Sequence, residues 1–218
     1  MDDPIIVPQT LREIAGGGFL EQTNPHRLDK ILGFEEIGHH YFVRGIRHDE
    51  LHYLSSTTFL GKFFPKFDKE RCIGYIMRSN RYVSDPTYRY YRMSEIDILS
   101  MWDGLGNDAC LRGSRMHANI EYQCNNMNID DKTPEFSQYL NFRSDHPNLV
   151  PWRTEMLILH EEFRIVGSVD AIFKDTISGK YILIDWKRSK KVDTKNGEKG
   201  YFPLEHLRGN NLTKYSIQ

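Results

Sequence analysis

The sequence is short of cysteine, of long apolar runs and of net charge, and each shortage closes a class of explanation. Three cysteines, Cys72, Cys110 and Cys124, are odd in number and lack CxxC spacing. That argues against a disulfide framework or a zinc site and for a reducing intracellular compartment, with nothing to choose between cytoplasm and nucleus. No apolar stretch approaches the roughly 20 residues of a membrane span. Met1–Pro8 has neither a basic n-region nor an apolar h-region, so no signal peptide is read and no membrane partner is expected. Without that signal, the glycosylation-like Asn211-Leu-Thr213 is set aside. Lys+Arg and Asp+Glu number 29 and 30, leaving a net charge of -1. Nucleic-acid binding therefore has no global electrostatic argument and has to rest on local clusters.

What is present is a chain of 218 residues, enough for one large domain or a domain with a helical elaboration. Residues 1–35 are mixed, with Pro4, Pro8 and a Gly16-Gly17-Gly18 run that predicts a flexible loop. Residues 40–54 read as a hairpin. Ser55–Thr58 predicts an N-cap for a short helix ending before Pro65, and a second helix is expected from Asp68 to about Met77. Ser94 caps a helical period through Ile96, Leu99, Trp102 and Leu105. Gly104 and Gly106 are expected to break it before it resumes at Cys110 and runs to about Asn126. Pro134 starts a short helix to Phe142. Strands are expected at Glu155–Ile165, Gly167–Lys174 and Tyr181–Lys187, with Ser178-Gly179 as the last turn, then a Lys-rich loop over 188–200 and a helix start over 204–218.

Four segments carry chemistry. In Ile182-Leu-Ile-Asp185-Trp-Lys187, strand alternation puts Asp185 and Lys187 on one face. A carboxylate there can bind a metal while the lysine reaches a water or phosphate. By itself a D-x-K is more often a strand-end ion pair. Asp170 sits in the apolar Ile165-Val-Gly-Ser-Val-Asp-Ala-Ile-Phe, where burying a carboxylate is costly unless it is paired or metal-bound. The alternative is a turn cap after Gly167. Two carboxylates on adjacent strands suit a hard cation. Gly113, His117 and Glu121 are spaced by four and share a helix face, where Gly113 would allow tight packing on the sheet. His117 could supply a nitrogen ligand suited to Mn2+ as well as Mg2+, with Glu121 binding the metal or orienting His117. A helix with a satisfied histidine is the plainer alternative. Glu155, on the strand before Gly167, is a further candidate.

Taken jointly, G-x-x-x-H-x-x-x-E, Glu155, G-x-V-D and I-D-W-K resemble the PD-(D/E)XK nuclease superfamily in its RecB-like branch. Members of that branch include mitochondrial genome maintenance exonucleases and CRISPR-associated exonucleases. Asn211–Gln218 also resembles a motif of that branch, glutamine, three residues, then tyrosine, in which Gln218 would be the glutamine. The resemblance spans roughly residues 94–218. It implies an α/β fold with an αβββαβ core, a mixed sheet flanked by helices, preceded by a mainly helical N-terminal elaboration over 1–93. It implies His117, Asp170 and Asp185 as ligands for Mg2+ or Mn2+, with the Trp186 carbonyl as a further ligand. Lys187 would act on the water and on developing negative charge, and Glu155 and Gln218 would contribute to catalysis. The expected activity is hydrolysis of DNA, single-stranded or with free ends, by an exonuclease. A non-cleaving nucleic-acid-binding protein or an RNA-cleaving enzyme on the same fold are the alternatives. The core is expected to continue past Gln218. The three cysteines do not match the four-cysteine cluster of the CRISPR-associated branch, so no iron–sulfur cluster is expected.

Two segments are candidates for the substrate path. Arg78, Arg81, Arg89 and Arg92 interleave with Tyr82, Tyr88, Tyr90 and Tyr91, mixing phosphate contacts with stacking faces as single strands require. Tyrosines packed on the core beneath solvated arginines are the alternative. Arg188, Lys190 and Lys191, with Lys195 and Lys199, directly follow Lys187 and are placed to track a phosphate backbone. A generic surface loop is the alternative there.

Overall fold

In the computed structural model a short helix, α1 (Phe19–Thr23), and a 3-10 turn (Arg27–Lys30) lead into a small antiparallel meander. The structure describes residues 9, 11, 17–195 and 197–218; Pro4, Pro8 and Gly16 of the expected loop lie outside them. The meander strands are β1 (Leu32–Glu35), β2 (His40–Val43) and β3 (Ile46–Arg47), in that order. Arg44 and Gly45 both take positive φ, 52° and 80°, which suits a two-residue hairpin turn because its twist matches that of the strands. The expected hairpin over 40–54 is therefore tighter than the sequence suggested and closes by Arg47. Leu54–Ser55 leaves it as β4, a strand of a different sheet.

Caps then punctuate the chain. The Ser55 hydroxyl accepts from the Thr58 amide at 3.2 Å and opens α2 (Ser56–Gly61). Asp68 caps α3 (Lys69–Arg78), which is followed by the short α4 (Asn80–Ser84). A reciprocal Ser94–Asp97 capping box opens α5 (Glu95–Cys124), 30 residues in one run. Gly104 and Gly106 do not interrupt it. Each costs about 1 kcal/mol against alanine, but a firm cap at one end and a packed last third at the other hold the helix through them. Thr133 caps α6 (Pro134–Asp145), with proline at the helix start where its missing N–H is no loss.

The main sheet is mixed and centres on one strand. β5 (Leu149–His160) pairs antiparallel with β6 (Ile165–Asp175) along nearly its whole length. The other edge of β6 is shared. β4 pairs parallel to it at Ile165 and Val166, and β7 (Tyr181–Ile184) pairs antiparallel from Ala171 to Lys174. Between them Gly167, Ser168, Val169 and Asp170 have no strand partner on that edge among the described residues. A last helix, α7 (Asn211–Ile217), closes the described chain. The whole is an α/β arrangement of helices and mixed sheets.

Two apolar clusters flank this gap. One joins Met116, Ile120 and Cys124 of α5 to Phe136 and Tyr139 of α6 and to Ala171 and Phe173 of β6, with Trp186 against it. The other joins Leu32, Tyr41 and Val43 of the meander to Leu157 and Val166. Arg153 on β5, with no exposed surface, anchors the N-terminal segment. Its guanidinium donates to both carboxylate oxygens of Asp29, at 2.8 and 3.0 Å, and to the Asn24 carbonyl at 2.8 Å. Removing the Asp29 partner from such a buried pair costs about 3–5 kcal/mol.

Candidate metal centre

The unpaired stretch of β6 is where the polar side chains collect. A cleft of about 580 Å³ opens there, lined from α5 by Gly113, His117 and Glu121, from β5 by Glu155, and from β6 by Ser168 and Asp170. Lys187 and Gln218 also line it, as do Phe34, His39 and Tyr41 of the meander. The four-residue spacing on α5 thus turns Gly113, His117 and Glu121 toward one space, as helical geometry requires. Gly113 does not serve the tight packing expected of it. A Cβ there would meet nothing within 4 Å, so its small size leaves the cleft wide rather than bringing helix and sheet together.

His117, Glu155 and Asp170 each offer a ligand atom, and these atoms lie within 4.8 Å of one another. His117 Nδ1 is 3.5 Å from Glu155 Oε1 and 3.6 Å from Asp170 Oδ2. Its other nitrogen, Nε2, is 2.9 Å from the Trp186 carbonyl oxygen. When Nε2 carries the proton it donates to that carbonyl and leaves the Nδ1 lone pair facing the two carboxylates. This is the tautomer a metal ligand needs, held by a backbone acceptor.

The backbone of this region is shaped around the cluster. Glu155 lies mid-strand at φ 44°, a left-handed conformation that glycine adopts freely and that other residues, apart from Asn, Asp and His, rarely hold. Such strain is found where surrounding structure enforces it, and it collects at functional sites. On the other side, Trp186 N–H donates to Asp170 Oδ2 at 2.6 Å. A side chain takes the amide that would otherwise extend the ladder, so β7 ends at Ile184 and not at the expected Lys187.

The electrostatics follow from crowding. Burial raises Asp170 to about 6; the nearby Glu155 and Asp185 charges add to this, against His117 and the Trp186 amide, which lower it. Burial alone would lower His117. The hydrogen bond that the protonated ring donates to Glu155 and the charges of Asp170 and Glu155 outweigh it and carry the imidazole up to about 8. Without a cation, protons do part of the work of holding these groups together.

The remaining candidates fall in different places. Asp185 is outside the three-donor cluster and receives Lys187 Nζ at 2.8 Å. The Trp186 carbonyl, expected as a metal ligand, is placed as the acceptor for His117. Glu121 is buried and accepts from the Leu11 amide at 3.2 Å. Arg188 is committed to Glu135 at 2.6 Å, while Lys190 and Lys191 are exposed. Arg81 lies over Tyr88 and bonds Asp85, Arg89 lies over Tyr90, and Arg92 lies over Tyr91. Tyr82 donates to the Met93 carbonyl, and the Tyr90 hydroxyl accepts from Trp102 of α5. None of these arginines and tyrosines lines the cleft.

Sequence reasoning missed Tyr41, His39 and Phe34. Tyr41 falls in the expected hairpin over 40–54, whose pattern says nothing about what it faces, and Phe34 and His39 lie before it, in a stretch where no strand is expected. Comparison with protein-family models, with curated proteins and with solved structures gives no match. Among the described residues no helix is long and apolar enough to cross a membrane.

Proposed function

We propose that this protein is a Mg2+- or Mn2+-dependent nuclease that hydrolyses phosphodiester bonds of single-stranded DNA, from an end, on a PD-(D/E)XK core. The reading rests on one observation: an imidazole and two carboxylates converge within 4.8 Å in a cleft that Lys187 also lines. The order α5, α6, β5, β6, β7, α7 is compatible with the helix, three strands and helix of such a core, with α6 as an added helix before the first strand.

The donor set fits the ion. Two carboxylates and one imidazole suit a hard to borderline divalent cation and offer no thiolate for a softer one. Bound there, the ion would neutralise charge at a phosphoryl oxygen and lower the pKa of a water. His117, Glu155 and Asp170 would hold it, and the Trp186 carbonyl keeps His117 in register. Lys187 Nζ, presented by Asp185, donates toward the attacking water and the oxygen on which charge develops. Asp185 also keeps that ammonium from collapsing onto the ligand carboxylates. Gln218, at the edge of the same cleft, offers an amide to a phosphate or a base.

The test is a time course on end-labelled single- and double-stranded DNA with Mn2+ or Mg2+, alongside titration calorimetry with Mn2+. Metal-dependent loss of label from single strands is expected. Tight DNA binding with no cleavage under either metal would instead make the chain a binding module.

A further inference from the structure

The wall of the cleft opposite the metal-ligand cluster is aromatic, and it belongs to the meander. Phe34 and His39 rings meet edge to face at 4.8 Å, and Phe34 and Tyr41 are tilted by 48° at 4.9 Å. His39 and Tyr41 are in edge contact at 5.7 Å. Tyr41 is buried at 4 % exposure and lines the cleft together with Ser168, two residues from Asp170. It is the fixed base of the group, and Phe34 and His39 are the accessible part. His39 sits at φ 55°, directly after Gly38 at 84°, in a turn closed by a hydrogen bond from the His39 amide to the Glu36 carbonyl. The two left-handed non-glycine residues that line the cleft are therefore Glu155 and His39. At the tip, between the cleft residues Glu36 and Gly38, Ile37 is 86 % exposed.

We infer that the β1–β2 hairpin is the nucleobase platform of this cleft, with His39 and Phe34 stacking the base next to the phosphate held at His117, Glu155 and Asp170. The inference rests on the nuclease reading for its ligand. The cleft is acidic, with Glu36, Glu121, Glu155 and Asp170 in its lining. A DNA strand therefore gains little from the protein's own charge there, and contacts to its uncharged parts have to carry the positioning. A base offers a flat π-face of any sequence, and aromatic side chains are its sequence-tolerant partners. The exposed aliphatic Ile37 at the turn extends the same surface to the neighbouring base, the use apolar tips find between base steps. Phe34, His39 and Ile37 act on the substrate's position and not on the scissile bond.

The experiment uses the full chain and a short single-stranded oligodeoxynucleotide carrying 2-aminopurine at its end, in EDTA so that binding is read without cleavage. His39→Asn is the informative variant, since asparagine tolerates the left-handed backbone while losing the ring. His39→Phe restores the ring, and Phe34→Leu tests the second face. Wild type is expected to quench the aminopurine. His39→Asn should bind at least about fivefold more weakly, the lower end of what one stacked base contributes. His39→Phe should recover binding, and an abasic end should bind wild type and His39→Asn equally. No quenching by wild type, equal weakening on normal and abasic DNA, or preference for the matching oligoribonucleotide would each overturn the assignment. Cleavage with Mn2+ is followed in parallel. Ring-dependent binding without cleavage removes the nuclease reading and leaves the platform; cleavage indifferent to both rings does the reverse.

Discussion

Two regions of this molecule are dense in charge, and they are built on opposite principles. In residues 78–93, each of Arg81, Arg89 and Arg92 rests on a tyrosine ring, at 4.5, 5.1 and 5.1 Å. The tyrosine hydroxyls of Tyr82 and Tyr90 are spent on a carbonyl and an indole. At the cleft, by contrast, Glu155 and Asp170 face the same histidine nitrogen, and Asp170 is raised first by burial and then by the Glu155 charge beside it. The first region satisfies itself. The second is held together by protons, on an imidazole carried up to about 8 and a carboxyl raised to about 6, which a cation would displace. In sequence both are runs of functional-looking residues; what separates them is whether their valences are met at home.

The largest expected effect comes from removing that carboxyl. Asp170→Asn should abolish Mn2+ binding and lower cleavage on the order of a thousandfold or more, as loss of a ligand in a metal-assisted hydrolysis does. The amide oxygen still accepts from Trp186 N–H, so the melting temperature of the metal-free protein at pH 8 should hold or rise. A fall of many degrees would make Asp170 a structural residue and end the contrast.

Next is Lys187→Ala. Cleavage should drop by roughly 10²–10³, the range for losing one donor to developing charge, while calorimetric Mn2+ binding persists. Full activity in this variant would remove Lys187 from the reaction.

Acidity offers a graded test. His117 and Asp170 both have folded pKa values above their ordinary ones, about 8 and about 6. Their contributions to metal-free stability are complete below about 6.5 and 4 respectively and are lost as pH rises through 8 and 6. The metal-free melting temperature should therefore decline between pH 6 and 8.5, by a few degrees for a chain of this size. Over the same interval Mn2+ affinity should climb, because the ion no longer competes with protons. Flat profiles for both would mean that the three groups do not act as one cluster.

The smallest effect is expected in the other region. The double change Arg89→Ala, Arg92→Ala should alter single-strand affinity by less than about threefold, since exposed basic residues outside a binding track contribute little. A tenfold loss, read by anisotropy, would move the substrate path onto residues 78–93 and dissolve the distinction.

Much of the frame was legible because it is local. Ser55, Asp68, Ser94 and Pro134 announce their helices within one turn of chain, and Ser178-Gly179 marks the turn between β6 and β7. The helical interval between His117 and Glu121 foretold a shared face. What was not legible depends on distant partners. Leu54–Ser55 reads as the end of a hairpin and becomes a strand only because Ile165 and Val166 offer an edge. Glu155 enters the cluster through a left-handed φ that no local signal encodes. Asp185, expected to join Asp170 from the adjacent strand, lies outside the cluster and accepts from Lys187 instead. Arg153 reads as a surface arginine until Asp29 covers it.

The parallel pairing of β4 with β6 also orders events in time. The two strands are separated by more than a hundred residues, and pairings of that span close late because the intervening chain resists closure. The Ser168–Asp170 margin of the cleft is bounded by β4 on one side and β7 on the other. A ribosome-bound chain carrying residues 1–160 would have its meander, its long helix and the side chains of His117 and Glu155, yet neither β6 nor the cleft margin that carries Asp170. The cleft of this architecture is completed only when β6 is laid between its neighbours, so a half-made chain has three walls' worth of residues and no enclosed space.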